Sequence, residues 1–207
     1  STAPTFLIIF FIFFLLVKIV YVNKKHEVKM ISFAQIGLQE HTHTGVGNCT
    51  VLVNGYNEHN GTEEQIEKMK NFLEKNKYCG FAEFDLKYDY RDQKYKVFEI
   101  NPRQARSSYY LCACGFNLIK YLVDDLILDK KLKFKLINKK MVLSFVPMAV
   151  INKYVTNKKL KKEIKNLKRK GNFVDPLNYK KDRNLKRKIW LLVRKFNYLK
   201  KYKNNKW

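Results

Sequence analysis

Two short segments of alternating apolar and polar residues place the strongest constraint on how this chain folds. They occupy residues 81–86 and 95–100, and a polar stretch at 88–93 lies between them. Alternation with a period of two indicates half-buried strands, and the short polar connection favours a tight antiparallel pairing. The chain is therefore predicted to contain a β-hairpin that carries polar side chains along one edge.

Oxygen donors fall together on this hairpin, because Glu99 and Asn101 are two residues apart in one strand and point the same way. Pairing of Asp85 with Glu99 would bring three donors to one spot. Two carboxylates and one amide suit Mg²⁺, which keeps several waters and takes further ligands from substrate phosphates. Arg103 and Arg106 follow at once, and their planar forks suit phosphate or carboxylate oxygens. The residues predict a site for a metal-bound polyphosphate beside a second anion.

The run EINPRQARSS at residues 99–108 resembles the metal-binding signature of the ATP-grasp superfamily. It is most similar to the carboxylate–amine ligase branch, which is D-aspartate ligase-like and more distantly related to the large subunit of carbamoyl phosphate synthetase. The resemblance extends to the Glu-His and Gly-Val-Gly pattern of residues 40–48 and to the segment GFNL at 115–118. It covers residues 17–128 and, more loosely, the basic tail.

The resemblance implies an α+β fold: the C-terminal lobe of an ATP-grasp domain, with helices packed on an antiparallel sheet, followed by a basic helical tail. Residues 1–22 would be a hydrophobic segment (core element or membrane segment), 23–130 a partial ATP-grasp domain, and 131–207 a basic, largely helical extension. The family's phosphate-binding lysine, glycine loop and adenine hinge have no counterpart before Lys18. The chain is therefore expected to be the C-terminal part of such a ligase and to bind Mg-nucleotide weakly when alone.

The resemblance also implies an activity, in which ATP activates a carboxylate as an acyl phosphate and an amine then forms the amide. Asp85 and Glu99 would bind the nucleotide through one or two Mg²⁺ (or Mn²⁺) ions, which they would hold together with Asn101. Arg103 and Arg106 would be the catalytic residues, with Arg103 facing the transferred phosphoryl group or the activated carboxylate. The second substrate's carboxylate would be held at the end of the motif, by Arg106, Ser107 and Ser108. The expected partners are ATP and a small carboxylate or amino acid.

The segment at 6–17 consists of twelve consecutive apolar residues and extends to residue 22 if Lys18 is allowed. Twelve residues fall short of the ~20 that span a bilayer as a helix. Three explanations stay open for it: a strand or helix of the core, a membrane anchor, and a corrupted start of the sequence.

Positive charge is concentrated at the end of the chain. The protein has 42 Lys and Arg against 18 Asp and Glu, a net charge of +24, and residues 151–207 hold 21 of the former and 3 of the latter. A solvated basic face is expected rather than a nucleic-acid site, and the alternative function is a non-catalytic, membrane-associated basic protein that uses residues 6–22 and the tail. Four cysteines without C-x-x-C spacing predict free thiols and a cytoplasmic location, with membrane association as the alternative.

Apolar residues at helical spacing predict helices at 63–76, 117–128, 152–170 and 183–202, and strands are expected at 18–21, 28–33, 49–53 and 141–147. Asp124 and Asp125 are expected to be solvated charges on the outer side of the second helix. The last helix places apolar residues among basic ones. It is predicted to pack against the core, with binding to a membrane surface as the alternative.

Overall fold

The computed structural model describes residues 15–40, 45, 47–56, 62–179 and 181–204. In this part of the chain eight strands form one sheet: β1 (Leu15–Val22), β2 (Val28–Gln39), β3 (Cys49–Asn54), β4 (Gly80–Asp89), β5 (Lys94–Asn101), β6 (Lys135–Ile137), β7 (Met141–Ser144) and β8 (Phe173–Val174). The α-helices described are α1 (Thr62–Lys75), α2 (Tyr109–Ala113), α3 (Leu118–Leu122), α4 (Met148–Tyr154), α5 (Lys158–Arg169) and α6 (Leu185–Asn204). The fold is α+β, as predicted.

The sheet runs in the order β5-β4-β1-β2-β3-β7-β8, and β6 pairs with β2. Neighbouring strands from β5 to β7 are antiparallel. The pairs β2–β6 and β7–β8 are parallel. Two short parallel pairs thus extend the predicted antiparallel sheet.

Strand β1 lies inside the sheet, between β2 and β4. Its apolar and β-branched residues suit a position that is covered on both faces, and every residue from Leu16 to Val22 is at most 2% exposed. Even Lys18 is buried, and its Nζ donates a hydrogen bond to Gln65 Oε1 at 2.8 Å. Residues 15–22 of the predicted hydrophobic segment are therefore a core strand, while its residues 6–14 lie outside the described residues. Within the described ranges, no helix combines the length and apolarity that crossing a bilayer requires.

Helices cover both faces of the sheet. On one face Tyr110 and Leu118 of α2 and α3 pack in the largest cluster, and on the other face Met69 and Leu73 pack from α1. A third cluster packs α4, α5 and α6 against β3 and β7. The division into three parts stays a prediction; β1 and β7, from the first and third parts, lie in the same sheet as the strands of the second.

The predicted helix at 117–128 is helical at first and then changes geometry. After α3 the chain continues as a wider, π-type turn, Val123–Ile127. The expectation that Asp124 and Asp125 are solvated is wrong, since both are buried. Asp125 accepts hydrogen bonds from the Tyr21 hydroxyl at 2.7 Å and from the Lys24 backbone N–H at 3.0 Å, which offset the cost of burying its charge.

The predicted helix at 152–170 is divided between α4 and α5. The Asn157 side chain caps α5 by accepting a hydrogen bond from the Leu160 N–H at 3.0 Å, so the chain leaves helical geometry just before it. Gly171 follows α5 with φ of +75°, as expected for the glycine that ends a helix. The predicted strand at 141–147 ends earlier, at Ser144.

The last helix, α6, packs against the core as predicted, but through a different face from the one that the spacing indicated. Its buried residues are Tyr198 and Tyr202, because the Tyr202 hydroxyl donates to the Gln39 carbonyl at 3.0 Å and lies 2.7 Å from Thr50 Oγ1. The apolar residues that the spacing placed against the core are instead exposed, namely Leu185, Ile189, Leu192, Val193, Phe196 and Leu199.

Candidate active site

The β4–β5 hairpin has the register that the sequence predicted. Asp85 pairs with Glu99, and Glu83 pairs with Asn101. Because paired residues of adjacent strands share a face, all four polar side chains point to the same side of the sheet. The Asn101 amide lies 3.5 Å from Asp85 Oδ2, at the outer limit of a hydrogen bond. The four residues Glu83, Asp85, Glu99 and Asn101 thus present oxygen donors at one point.

A bulge lies beside these residues. The pairing shifts between Asp85 and Leu86, so Phe98 is an extra residue on β5. Phe98 lines the same cavity as Glu99, and Lys87 Nζ lies 4.8 Å from the centre of its ring. Simple alternation would have placed Phe98 on the opposite face, so the bulge is what brings an aromatic ring to the site.

The oxygen donors open into a cavity of about 370 Å³. Its lining includes six of the seven predicted site residues: Asp85, Glu99, Asn101, Arg103, Arg106 and Ser107. Ser108 does not line it, because its hydroxyl is turned to the Ala105 carbonyl at 2.7 Å. The structure therefore brings every predicted site residue except Ser108 to one cavity.

Negative charge in the cavity is only partly compensated. Burial, and then the nearby Asp85, raise the pKa of Glu83 to about 7, against the opposing effect of Arg103. Burial and then Glu99 raise the pKa of Asp85 to about 6, again opposed by Arg103. A carboxylate whose pKa is raised in this way is destabilised when charged, so a cation at this point would be favoured.

Glu83 is the residue that sequence reasoning missed. Its Oε2 atom is buried and has no hydrogen-bond partner among the described residues. A usable signal existed, because Glu83 and Asp85 are two residues apart in a strand and must share a face. An unsatisfied buried oxygen beside two further carboxylates is the kind of group that a bound cation satisfies.

The two arginines lie where the chain leaves the hairpin. The Arg103 backbone N–H donates to the Asn101 carbonyl at 2.8 Å, which makes a tight turn directly after the donors. The Arg106 guanidinium lies over the ring of Phe145, 5.0 Å from its centre. A 3₁₀ turn, Arg106–Ser108, then leads into α2. The local fold therefore holds both guanidinium groups near the carboxylates.

The loop between β2 and β3 borders the cavity as well. Gly47 and Asn48 line it, and the Gln39 side chain donates to the Gly47 carbonyl at 2.9 Å. Cys49 also lines it, and burial raises the pKa of its thiol to about 12, which keeps the thiol protonated and unsuited to nucleophilic chemistry. The predictions made for residues 41–44 and 46 lie outside the described residues.

The donor set fits a hard divalent cation better than a softer metal. Among the described residues, no group of three or more His, Cys, Asp or Glu side chains is arranged to hold a metal ion. The hairpin offers two facing carboxylates and one amide, with the orphaned oxygen of Glu83 beside them. Such an all-oxygen set with few charges suits Mg²⁺, which completes its shell with water and phosphate oxygens.

A sheet that carries a carboxylate–amide hairpin next to paired arginines is the arrangement expected of an ATP-grasp domain. No protein-family model matches the chain. Among curated proteins, D-aspartate ligase of Enterococcus faecium (strain Aus0004) is 33% identical over 190 residues, which is 88% of this chain and 44% of the ligase. The chain is thus related to the carboxylate–amine ligases of the ATP-grasp superfamily, as the motif predicted. It spans less than half the length of this relative.

Solved structures with partial similarity include biotin carboxylases and a urea carboxylase. The biotin carboxylase domain of Hydrogenobacter thermophilus 2-oxoglutarate carboxylase is 13% identical, with a TM-score of 0.44, over 59% of this chain and 28% of that one. Kluyveromyces lactis urea carboxylase is 9% identical, with a TM-score of 0.47, over 63% of this chain and 11% of that one. Campylobacter jejuni biotin carboxylase is 11% identical, with a TM-score of 0.43, over 55% and 25%.

Proposed function

We propose that the chain is part of an ATP-dependent carboxylate–amine ligase and binds Mg-ATP at the hairpin cavity. The observation that carries this proposal is the placement of Asp85, Glu99 and Asn101 on one face, with Arg103 and Arg106 in the same cavity. Oxygen donors for a metal and guanidinium groups for phosphates are the two requirements of a site that transfers a phosphoryl group.

Asp85, Glu99 and Asn101 would hold Mg²⁺ (or Mn²⁺), and Glu83 would add negative charge next to them. When bound, the ion would neutralise charge on the phosphates of ATP. The raised pKa values of Asp85 and Glu83 favour this role, because Arg103 compensates the charge of these carboxylates only in part. Protons and the cation would compete for the same oxygens.

The reaction would proceed in two balanced steps. A substrate carboxylate oxygen attacks the γ-phosphorus of ATP, the bond to ADP breaks, and an acyl phosphate forms. An amine nitrogen then attacks the acyl carbon, loses a proton and expels inorganic phosphate. Arg103, at the exit of the hairpin, would stabilise charge on the transferred phosphoryl group, and Arg106 would orient the carboxylate.

The two serines would have different roles. Ser107 lines the cavity and is placed to bind a substrate carboxylate. Ser108 accepts a hydrogen bond from the Gln104 side chain at 3.2 Å and donates to the Ala105 carbonyl, so we assign it to shaping the turn. The relative's name, D-aspartate ligase, makes an acidic amino acid the substrate to test first.

The test is direct binding of ATP to the 207-residue chain by titration calorimetry with and without Mg²⁺. Glu99→Ala and Asn101→Ala each should weaken Mg-dependent binding by about tenfold or more, since each removes a ligand worth ~1.4 kcal/mol or more. Glu67→Gln, an exposed acidic residue of α1, is the control and should bind as the unaltered chain does. Equal affinities for all variants would refute the proposal.

A second candidate function has its own support, the exposed apolar face of α6. We propose that this face, formed by Leu185, Ile189, Leu192 and Phe196, contacts an anionic lipid surface. α6 contains eight Lys and Arg and no Asp or Glu, so charge and apolar area would act together at a bilayer interface. The contact would be peripheral and would leave the hairpin cavity free.

Co-sedimentation with vesicles that contain phosphatidylserine tests this contact. The chain should pellet with such vesicles at low salt, and Leu192→Glu with Phe196→Glu should release it. Ile127→Glu is the control, because Ile127 is 75% exposed but lies outside α6. Pelleting that survives the double substitution, or that Ile127→Glu removes equally, would exclude α6 as the contact.

A further inference from the structure

The end of helix α6 contacts the end of strand β2. The Tyr202 hydroxyl donates to the Gln39 carbonyl at 3.0 Å and lies 2.7 Å from Thr50 Oγ1 of β3. Lys201 Nζ lies 3.2 Å from Glu40 Oε1. Two consecutive residues of the helix thus bind two consecutive residues at the point where the chain leaves the sheet.

Gln39 and Glu40 begin the loop that joins β2 to β3, and Gly47 and Asn48 end it; we call these four residues the loop stem. The Glu40 N–H donates to the Asn48 carbonyl at 2.8 Å, and the Gly47 N–H donates to the Glu40 carbonyl at 3.0 Å. The Gln39 side chain donates to the Gly47 carbonyl at 2.9 Å. These bonds tie the two sides of the stem together.

The loop stem is also part of the wall of the hairpin cavity. Gln39, Gly47 and Asn48 line that cavity, together with the predicted site residues, whereas Lys201 and Tyr202 do not. A substitution at either residue of the helix therefore acts on a ligand in the cavity indirectly, through the stem or through the charge and stability of the whole protein.

The contact between Lys201 and Glu40 joins an exposed ammonium group to a buried carboxylate. Burying a carboxylate is costly unless it is paired, so the lysine favours the position that Glu40 takes. A Cβ atom at Gly45 would lie 2.6 Å from the carboxyl carbon of Glu40, so the glycine leaves room for the carboxylate here. Glu40 is thus held between Gly45 and the end of α6.

The end of α6 is itself fixed to the core. The Tyr202 ring lies 5.3 Å from the ring of Tyr154 in α4, and Lys201 Nζ lies 5.6 Å from the ring centre of Tyr198. Both Tyr198 and Tyr202 are buried in the cluster that packs α4, α5 and α6 together. The helix therefore provides a firm support against which the loop stem can be held.

We propose that Lys201 and Tyr202 form a latch that positions the loop stem at the wall of the hairpin cavity and so favours the binding of Mg-ATP. The inference rests on the proposed ligase function and gives the two residues a positioning role rather than contact with the nucleotide. A site that is ordered in advance binds more tightly, because apparent affinity scales with the fraction of molecules in the binding conformation. Loss of the latch would lower that fraction.

Amide hydrogen exchange, followed by NMR without nucleotide, tests the latch itself. In Lys201→Met the amides of Gly47 and Asn48, which are bonded within the loop, should exchange about fivefold faster or more, while the amides of β1 keep their rates. Tyr202→Phe, which loses the bond to the sheet, should accelerate the same two amides. Lys200→Met, at the neighbouring exposed lysine, is the matched control and should change none of them.

Two results of this experiment would overturn the proposal. One is unchanged exchange at Gly47 and Asn48 in Lys201→Met. The other is an equal acceleration in β1, since that would indicate a general loss of stability rather than release of the loop stem.

Binding of Mg-ATP to variants whose charge changes in opposite directions separates positioning from electrostatics. Lys201→Met removes a positive charge and Glu40→Met removes a negative one, so general attraction of ATP predicts weaker binding by the first and tighter binding by the second. The latch predicts that both bind about threefold to tenfold more weakly. The double variant should bind no more weakly than the weaker single variant, because both substitutions break one contact. Lys201→Arg keeps the ion pair and should bind as the unaltered chain does, and tighter binding by Glu40→Met would reject the latch.

Glu99→Ala distinguishes a failure of this inference from a failure of the proposed function. It removes a predicted metal ligand and should weaken Mg-ATP binding while leaving exchange at Gly47 and Asn48 unchanged. If the unaltered chain and Glu99→Ala bind Mg-ATP equally, the proposed function fails and the positioning role fails with it. If Glu99→Ala weakens binding but Lys201→Met and Glu40→Met do not, the latch alone is rejected.

Discussion

Two ionisable side chains, one buried and one half-buried, lie on opposite faces of the same sheet. Glu83 is on the face of the hairpin cavity, and Lys18 is on the face covered by α1, where it bonds Gln65. Burial raises the pKa of Glu83 to about 7 and lowers the pKa of Lys18 to about 8. Each charged form is less stable in the folded protein than in water, so each residue links stability to pH in its own direction.

We expect Glu83→Gln to stabilise the protein above neutral pH. Because the folded pKa of about 7 exceeds the ordinary 4.5, the unfolded chain binds fewer protons between these values, and stability falls as pH rises through this window. The amide removes that loss, worth about 1–3 kcal/mol at pH 8. Urea unfolding with EDTA at pH 4.5 and pH 8 measures it, with Glu67→Gln as the control. A variant as sensitive to pH as the unaltered chain would contradict the expectation.

Lys18→Met should change the pH dependence of stability in the opposite sense, because Lys18 makes stability rise with pH. The folded pKa of about 8 lies below the ordinary 10.5, so the unfolded chain binds more protons in this window and stability rises with pH from 8 to 10.5. Methionine cannot titrate, so the unfolding free energy of the variant should rise less across this window, by at most about 3 kcal/mol. Denaturant unfolding of both chains across this pH range measures the effect. The contribution of the other titrating groups is the same in both chains, so it cancels in the difference between their unfolding free energies. Parallel curves for the two chains would show that Lys18 is not responsible.

At the scale of elements, the sequence predicted the hairpin register because both strands alternate and the turn is short. Asp85 opposite Glu99 followed from that pattern. The bulge at Phe98 did not, because one extra residue changes the face of its neighbours without changing the composition of the strand. Glu83 could have been placed on the same face as Asp85 from its spacing, but the burial of its Oε2 atom could not be predicted, because that depends on residues that β2, β3 and the segment after β5 supply.

Helix α6 shows why amphipathic spacing does not decide which face is buried. The apolar stripe predicted a buried surface, whereas the structure buries Tyr198 and Tyr202 on the other side. The hydroxyl of Tyr202 reaches Gln39 and Thr50 in the sheet, and these long-range partners cannot be read from helical periodicity. Because the apolar stripe of α6 stays exposed, it is available for contact with another surface.

The anchoring of α6 can be tested by Tyr202→Phe. The substitution removes the hydroxyl that donates to the Gln39 carbonyl at 3.0 Å and leaves Thr50 Oγ1 with one partner fewer. We expect a loss of about 1–2 kcal/mol in the free energy of unfolding, since buried groups lose their partners. Tyr179→Phe, at an exposed tyrosine, should change stability by less than about 0.5 kcal/mol. Equal effects of the two substitutions would show that the buried hydroxyl does not hold the helix.

For the molecule as a whole, net charge is the dominant property. A charge of +24 on 207 residues makes the folded state repel itself at low ionic strength. The ion pairs described at the surface are mostly exposed and are worth little individually. Salt should therefore weaken the repulsion among the excess positive charges more than it weakens the attraction within these ion pairs.

We expect Tm to rise as NaCl is increased from about 0.02 to 0.3 M, since the screening length falls below ~10 Å in this range. Lys162→Glu with Lys165→Glu, at two exposed positions of α5, lowers the net charge by four and should reduce the rise. Calorimetry of both chains in the same buffers separates this electrostatic effect from the general effect of salt on apolar burial, which both share. A Tm that falls with salt would mean that attractive pairs outweigh repulsion, and an unchanged rise in the variant would assign the effect to apolar burial.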